Sequence, residues 1–328
     1  MKKILVPTDF SAGAEAAYPV AQKIASAFGS KIDFIHVIPT GKYLHESIRK
    51  MGVPIDMDKE LFPKIIEEAE HQLQKAMSTW ILEENHGEFA VKIDRSSYDT
   101  IQKHASEGGY DLVVMGSRGK DRSSLFRGNT TEKVIRLSSV PVFSVDESVN
   151  EQNLKHILVP TDSSDISLAA FPLAVKMAGT FGSEITLFHV LELYGTMSES
   201  LPRDPGKEEM VSIYEAIIES LNAYLLDAGL SEIQIRRGED PYRDEVIYSV
   251  NGETKTIPLH CKVVKGISAH YEIESYAQEE YDLVVMATHG YSGIFRLFLG
   301  STAEKVAQYV GKPVLTLRPS KNLYKKEK

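Results

Sequence analysis

The chain has 328 residues, 42% of them hydrophobic and 25% charged, which is globular composition and excludes a fibrous or disordered chain. Its net charge of −9 argues against a general nucleic-acid binder, which needs a basic field. One cysteine, Cys261, cannot form an internal disulfide or a cysteine-rich zinc site, so a reducing, cytoplasmic setting is expected.

In chain order, the first apolar run, Ile4–Val6, reads as a buried strand. Pro7 and Asp9 cut it short, so it is no signal-peptide core, and no stretch reaches the ~18 apolar residues of a membrane span. Ala14–Phe28 carries apolar residues at helical spacing and stops at Gly29. Strands are expected at Lys31–Ile38, Ala90–Ile93, Leu112–Met115 and Val142–Val145. Helices are expected at Asp58–Glu84, Ser97–Glu107 and Thr130–Ser138. Near-continuous β-branched strands alternating with helices predict an α/β fold, a parallel sheet covered on both faces.

The pattern then repeats. Lys3–Asp9 recurs as His156–Asp162, at an offset of 153 residues. Tyr110–Met115 recurs as Tyr281–Met286, and Gly128–Val134 as Gly300–Val306, at offsets of 171 and 172. Blocks matched in the same order mean two homologous domains. The expected boundaries are 1–146, a polar linker at 147–154, a second domain at 155–319 and a Lys-rich tail at 320–328. The changing offset gives the second domain about 18 extra residues, placed around 237–258. Asn251-Gly252 lies there between two β-rich runs and predicts an inserted hairpin.

Ligands of such sheets bind beyond the carboxyl ends of the strands, near the switch in strand order. The best-matched blocks fall at two such ends. One is Pro7-Thr8-Asp9, repeated as Pro160-Thr161-Asp162. The other is a glycine loop leading to a helix: Met115-Gly116-Ser117-Arg118-Gly119 to Gly128-Asn129-Thr130, and Met286-Ala287-Thr288-His289-Gly290 to Gly300-Ser301-Thr302. Glycines let backbone amides approach an anion, and the helix start adds free N–H groups. A carboxylate at the first strand end can accept ribose hydroxyls. Simpler readings stay open. The aspartates can cap the next helix, and the glycines can serve tight turns. His260, Cys261 and His270 near the insertion can form a metal site, or Cys261 can be a buried apolar residue.

Val-Pro-Thr-Asp at the opening, Val-Met-Gly-x-x-Gly-x9-Gly-Ser/Thr and a closing Pro-Val-Leu together resemble the universal stress proteins. The chain resembles two such domains fused. The resemblance implies two Rossmann-like domains, each a five-stranded parallel sheet, in a stress-response protein. It implies ATP binding in many members and no firmly assigned catalysis. In the second domain it implies adenine and ribose near Pro160, Thr161, Asp162 and Val190, with phosphates on Ala287, Thr288, His289, Gly290, Gly300, Ser301 and Thr302, and Met286 in the same cofactor site. Mg2+ would accompany the phosphates. The equivalent first-domain set adds Val37 to the segments named above. Ala287 departs from the usual first glycine. The first loop is one residue shorter and ends in Asn129, so the second domain is the expected holder of ATP. A slow ATPase and a non-nucleotide small-molecule module are the alternatives. No lysine, carboxylate pair or arginine finger recurs in both loops to support efficient phosphoryl transfer. Neither nucleic acid nor membrane is an expected partner; an unidentified protein is. The family commonly dimerises through the last strand, which implies that Val142–Val145 and Val314–Leu317 pair within one chain; whether two such chains then form a homodimer stays open.

Overall fold

In the computed structural model, residues 1–40, 62–117, 129–145, 154–193, 207–240, 242–250, 252–288 and 301–319 are described. The chain divides into two compact units, Met1–Ser148 and Val149–Lys328.

The first unit begins with β1 (Lys3–Pro7), whose Ile4, Leu5 and Val6 are fully buried. A short α1 (Ala12–Glu15) runs into α2 (Ala17–Phe28), and β2 (Lys31–Pro39) follows. The single helix expected at Ala14–Phe28 is therefore broken near its start. α2 buries Ala17, Val20, Ala21, Ile24 and Ala25, one stripe at three- and four-residue spacing. Next come α3 (Phe62–Trp80), β3 (His86–Asp94), α4 (Ser97–Glu107), β4 (Leu112–Gly116), α5 (Asn129–Leu137) and β5 (Val142–Val145). The strands run parallel in the order β3-β2-β1-β4-β5. β1 and β4 are neighbours although β1 is followed in sequence by β2, so the order reverses between them.

The second unit repeats this plan with β6 (His156–Pro160), α6 (Asp165–Leu168), α7 (Phe171–Phe181), β7 (Glu184–Glu192) and α8 (Lys207–Asp227). It then inserts β8 (Ile233–Arg236) and β9 (Arg243–Val250) before β10 (Glu253–Gly266). It closes with α9 (Ala269–Glu280), β11 (Leu283–Ala287), α10 (Ser301–Tyr309) and β12 (Val314–Leu317). Its order is β12-β11-β6-β7-β10-β9-β8, with β9 antiparallel to both of its neighbours.

The expected hairpin is present. Val250 pairs with Glu253 across the two-residue turn, and Gly252 there has φ +81°, which glycine adopts without steric cost. The hairpin widens the sheet itself, and its second arm continues as the third parallel strand, β10. A buried carboxylate anchors it. Asp244 accepts from the Tyr214 hydroxyl at 2.6 Å and from the Gly238 amide at 3.0 Å, with Arg237 Nε at 3.3 Å. Arg237 also grips exposed Glu215 on α8 through both guanidinium ends, at 2.7 and 2.9 Å. Burial, then the bond to Asp244, pushes the Tyr214 hydroxyl far above its ordinary pKa, so it stays protonated as the donor.

Candidate functional site at the switch crevices

The switch between β1 and β4 has a twin between β6 and β11. Register places the candidate residues at both. Ile4 lies opposite Leu112 and Leu5 opposite Val113, so continuing the strands sets Thr8 level with Gly116. Leu158 lies opposite Val284, which sets Thr161 level with Ala287. Val37 and Val190 lie two residues past the partners of Pro7 and Pro160 on the adjoining strands. Pro7, Val37, Met115, Pro160 and Met286 are buried, and Val190 is half-buried. Thus Pro7, Thr8, Asp9, Val37, Met115 and Gly116 gather at one crevice. Pro160, Thr161, Asp162, Val190, Met286, Ala287 and Thr288 gather at the other.

The Thr-Asp turn has the same wiring in both units. The backbone turns left-handed at Phe10 (φ +59°) and at Ser163 (φ +66°), uncommon values for non-glycine residues. Thr8 Oγ1 accepts from the Phe10 amide at 3.0 Å, and Thr161 Oγ1 from the Ser163 amide at 3.0 Å. Asp9 Oδ1 accepts from both the amide and hydroxyl of Ser11, at 3.1 and 2.5 Å. Asp162 Oδ1 does the same with Ser164, at 3.1 and 2.6 Å. Ser11 and Ser164 are the helix N-caps, accepting from Ala14 and Ser167. The aspartates therefore hold the caps rather than cap the helices themselves. Asp162 is exposed and Asp9 half-buried.

The threonine hydroxyls are already engaged. Thr8 bonds Tyr18 at 2.6 Å, and Thr161 bonds Ser167 at 2.9 Å. Burial, the largest cause, pushes the Tyr18 hydroxyl up to about 12. Thr8 and Thr161 serve the turn with their side chains, and their amides donate to the Ile35 and Phe188 carbonyls of the adjoining strands, each at 2.9 Å.

The β4 end is closely packed. A Cβ on Gly116 would stand 2.1 Å from the Gly13 carbonyl oxygen of α1. Thr131 Oγ1 donates to the Gly116 carbonyl at 2.8 Å, tying α5 to the strand end. The second unit has Ile166, Ala287 and Ala303 at these three places. Ala287 is buried and has no left-handed φ, so its methyl group is accommodated. The second crevice is built without the first unit's glycine contact.

Beyond the strand ends, Asn129 and Thr130 open α5, and Ser301 and Thr302 open α10. Arg118, Gly119, Gly128, His289, Gly290 and Gly300 lie outside the described residues. The His260, Cys261 and His270 grouping does not come together. His260 Nε2 is 3.4 Å from Glu184, and His270 Nδ1 is 2.6 Å from the Ser268 hydroxyl. Cys261 is buried, and burial raises its thiol to about 12. Among the described residues no group of three His, Cys, Asp or Glu side chains can hold a metal ion. None of the described helices is long and apolar enough to cross a membrane.

A model of the universal stress protein family matches residues 1–146 and again 153–318. The chain belongs to the universal stress protein family. A universal stress protein of Methanocaldococcus jannaschii is 27% identical over 192 residues, covering 58% of this chain and 98% of that protein. Another, from Mycolicibacterium smegmatis, is 26% identical over 328 residues, covering 96% of this chain and 97% of the relative. Both halves of the tandem thus have a counterpart in one relative. The crystal structure of a universal stress protein from Archaeoglobus fulgidus superposes with a TM-score of 0.56 at 18% identity, over 97% of this chain and 98% of that one. That likeness bears on the fold, which is the expected pair of Rossmann-like domains.

Two residues of this tandem universal stress protein escape the motif reading. His36 Nδ1 lies 2.8 Å from the Thr8 carbonyl, and His189 Nδ1 lies 2.9 Å from the Thr161 carbonyl. A carbonyl oxygen only accepts, so each ring carries its proton on Nδ1 and fixes the turn from the neighbouring strand. The signal was in the sequence: His36-Val37 and His189-Val190 stand at the same offset of 153 as the Pro-Thr-Asp blocks.

Proposed function

We propose that this universal stress protein binds ATP in the crevice between β6 and β11, and less readily between β1 and β4. It acts in stress response as a cytoplasmic sensor or adaptor rather than an efficient catalyst. The observation that carries the reading is the register that brings Pro160-Thr161-Asp162 level with the strand end Met286-Ala287-Thr288 at the switch in strand order, where open α/β sheets take their ligands. Asp162 accepts ribose hydroxyls there while Val190 borders the base. The amides of the segment 287–290 and of the start of α10, with the Ser301 hydroxyl, hold phosphates. Mg2+ accompanies them. Asp9, Val37, Gly116, Arg118, Gly119, Gly128, Asn129 and Thr130 form the weaker first set. The domains run 1–146 and 155–319, joined by a linker at 147–154 and followed by a tail. They pair through their last strands, and occupancy of the crevice alters the surface offered to a protein partner.

Isothermal titration calorimetry of the full chain with Mg-ATP, alongside Asp162→Asn, tests the reading. Loss of one charge-assisted acceptor weakens binding by roughly tenfold, the effect of about 1.5 kcal/mol. No heat at millimolar Mg-ATP, or unchanged affinity in the variant, contradicts the assignment of Asp162.

A further inference from the structure

β3 closes the strand order of the first unit and has the exposure of an open edge. Glu88, Phe89, Lys92 and Asp94 are exposed, and Phe89 keeps 41% of its surface in solvent. Among the described residues of that unit, β2 is its strand partner. An exposed edge of nine residues is a template for another strand. The repeat shows what such an edge accepts. The corresponding strand of the second unit, β10, carries antiparallel β9 on that side.

The sequence of β3 supplies the partner. Let two copies run antiparallel with Ala90 opposite Ala90. Glu88 then faces Lys92, Lys92 faces Glu88, and Phe89 faces Val91 on both sides of the axis. Opposite charges directly across a strand pair stabilise it, and like charges oppose it. Neighbouring registers lose this match. Centring on Val91 sets Glu88 against Asp94, and centring on Phe89 sets Lys92 against His86. The outer residues are engaged within their own protomer: His86 Nε2 contacts the Ile81 carbonyl at 2.9 Å, and Asp94 accepts from Thr100 at 2.9 Å. The central Glu88 and Lys92 therefore set the register.

We propose that two copies of this chain associate through β3, antiparallel and about a two-fold axis at Ala90. The interface is isologous, so the same patch serves both partners. One strand edge buries less than the roughly 800 Å2 per partner of a standard interface, so the dimer forms and dissociates with concentration.

Sedimentation velocity of the full chain over a concentration series tests the proposal. The unaltered chain shows a concentration-dependent dimer. Glu88→Lys and Lys92→Glu each weaken it about tenfold or more, because two attractive contacts become two repulsive ones. Both positions are exposed, so each variant folds. An equimolar mixture of the two variants restores dimerisation, since every altered contact in the mixed dimer again joins opposite signs. A monomer at all concentrations overturns the proposal. So does a dimer insensitive to both substitutions, or a mixture that associates no better than its components.

Discussion

Gly116 sits where a single methyl group has nowhere to go, because the opposing atom is the Gly13 backbone carbonyl oxygen at 2.1 Å from an added Cβ. Backbone cannot rotate away as a side-chain tip can, so α1 would have to shift. Gly116→Ala is expected to destabilise the first domain by about 1–3 kcal/mol, the range for overpacking a filled site. A lowered midpoint in urea unfolding checks it, and an unchanged midpoint contradicts the geometry. The second domain already carries Ala287 at this place, so Ala287→Gly has a smaller effect. This difference was half legible. The substitution of alanine for glycine is plain in the aligned repeats, but the partner atom belongs to a helix more than a hundred residues earlier. The Thr-Asp turns are similar. Pro-Thr-Asp announces the turn. The division of labour between Asp162 and Ser164 depends on the left-handed residue at Ser163, which composition does not signal.

At the scale of elements, two buried carboxylates organise the ends of the sheets. In the first unit, buried Asp33 accepts from the Tyr110 hydroxyl at 2.7 Å and pairs with Lys3 at 2.9 Å. Tyr110 donates its one hydrogen to Asp33, so His104 Nε2, 3.2 Å from the same oxygen, must be the donor to it. Burial lowers the pKa of His104. Lys92 and Lys3 lower it further, against Asp33 and Glu107. A histidine lowered in the fold holds fewer protons folded than unfolded, so stability rises with pH through that window. His104 is expected to contribute in full above the ordinary histidine value near 6.5. The contribution is lost as pH falls from there through the folded value. Thermal melts from pH 8 to pH 5 should show the decline, and His104→Phe should flatten it. Equal slopes for the two proteins would refute the assignment.

In the second unit, Tyr214→Phe deprives buried Asp244 of its hydroxyl donor. An expected loss of about 1–3 kcal/mol follows from leaving a buried acceptor short, read as a fall in the urea midpoint. No change would mean that Arg237 and the Gly238 amide suffice. Asn251-Gly252 made the hairpin readable, because turn chemistry is local. The anchor was not readable. Tyr214 and Asp244 are thirty residues apart, and their pairing exists only once β9 lies beneath α8. The same limit explains the edges. The expected strand at Ala90–Ile93 covers the apolar middle of β3, whereas the pairing with β2 extends it to His86–Asp94 through polar residues.

For the whole molecule, duplication is the most informative feature. The repeated blocks establish two domains before any contact is known, and the Pro-Thr-Asp and Tyr-Asp-Leu-Val-Val-Met blocks run to the strand ends that flank each unit's switch in order. The asymmetry between the halves is equally physical. One has a glycine packed on backbone and a threonine tie to α5; the other has alanine at both places and a wider sheet. The central claim is that the second crevice holds ATP. The most direct test is to purify the full chain without added nucleotide, denature it, and identify and count what is released by chromatography and mass spectrometry. The account predicts an adenine nucleotide at about one per chain, abolished by Asp162→Ala and retained by Asp9→Ala. An empty protein that also shows no thermal shift with Mg-ATP would contradict it.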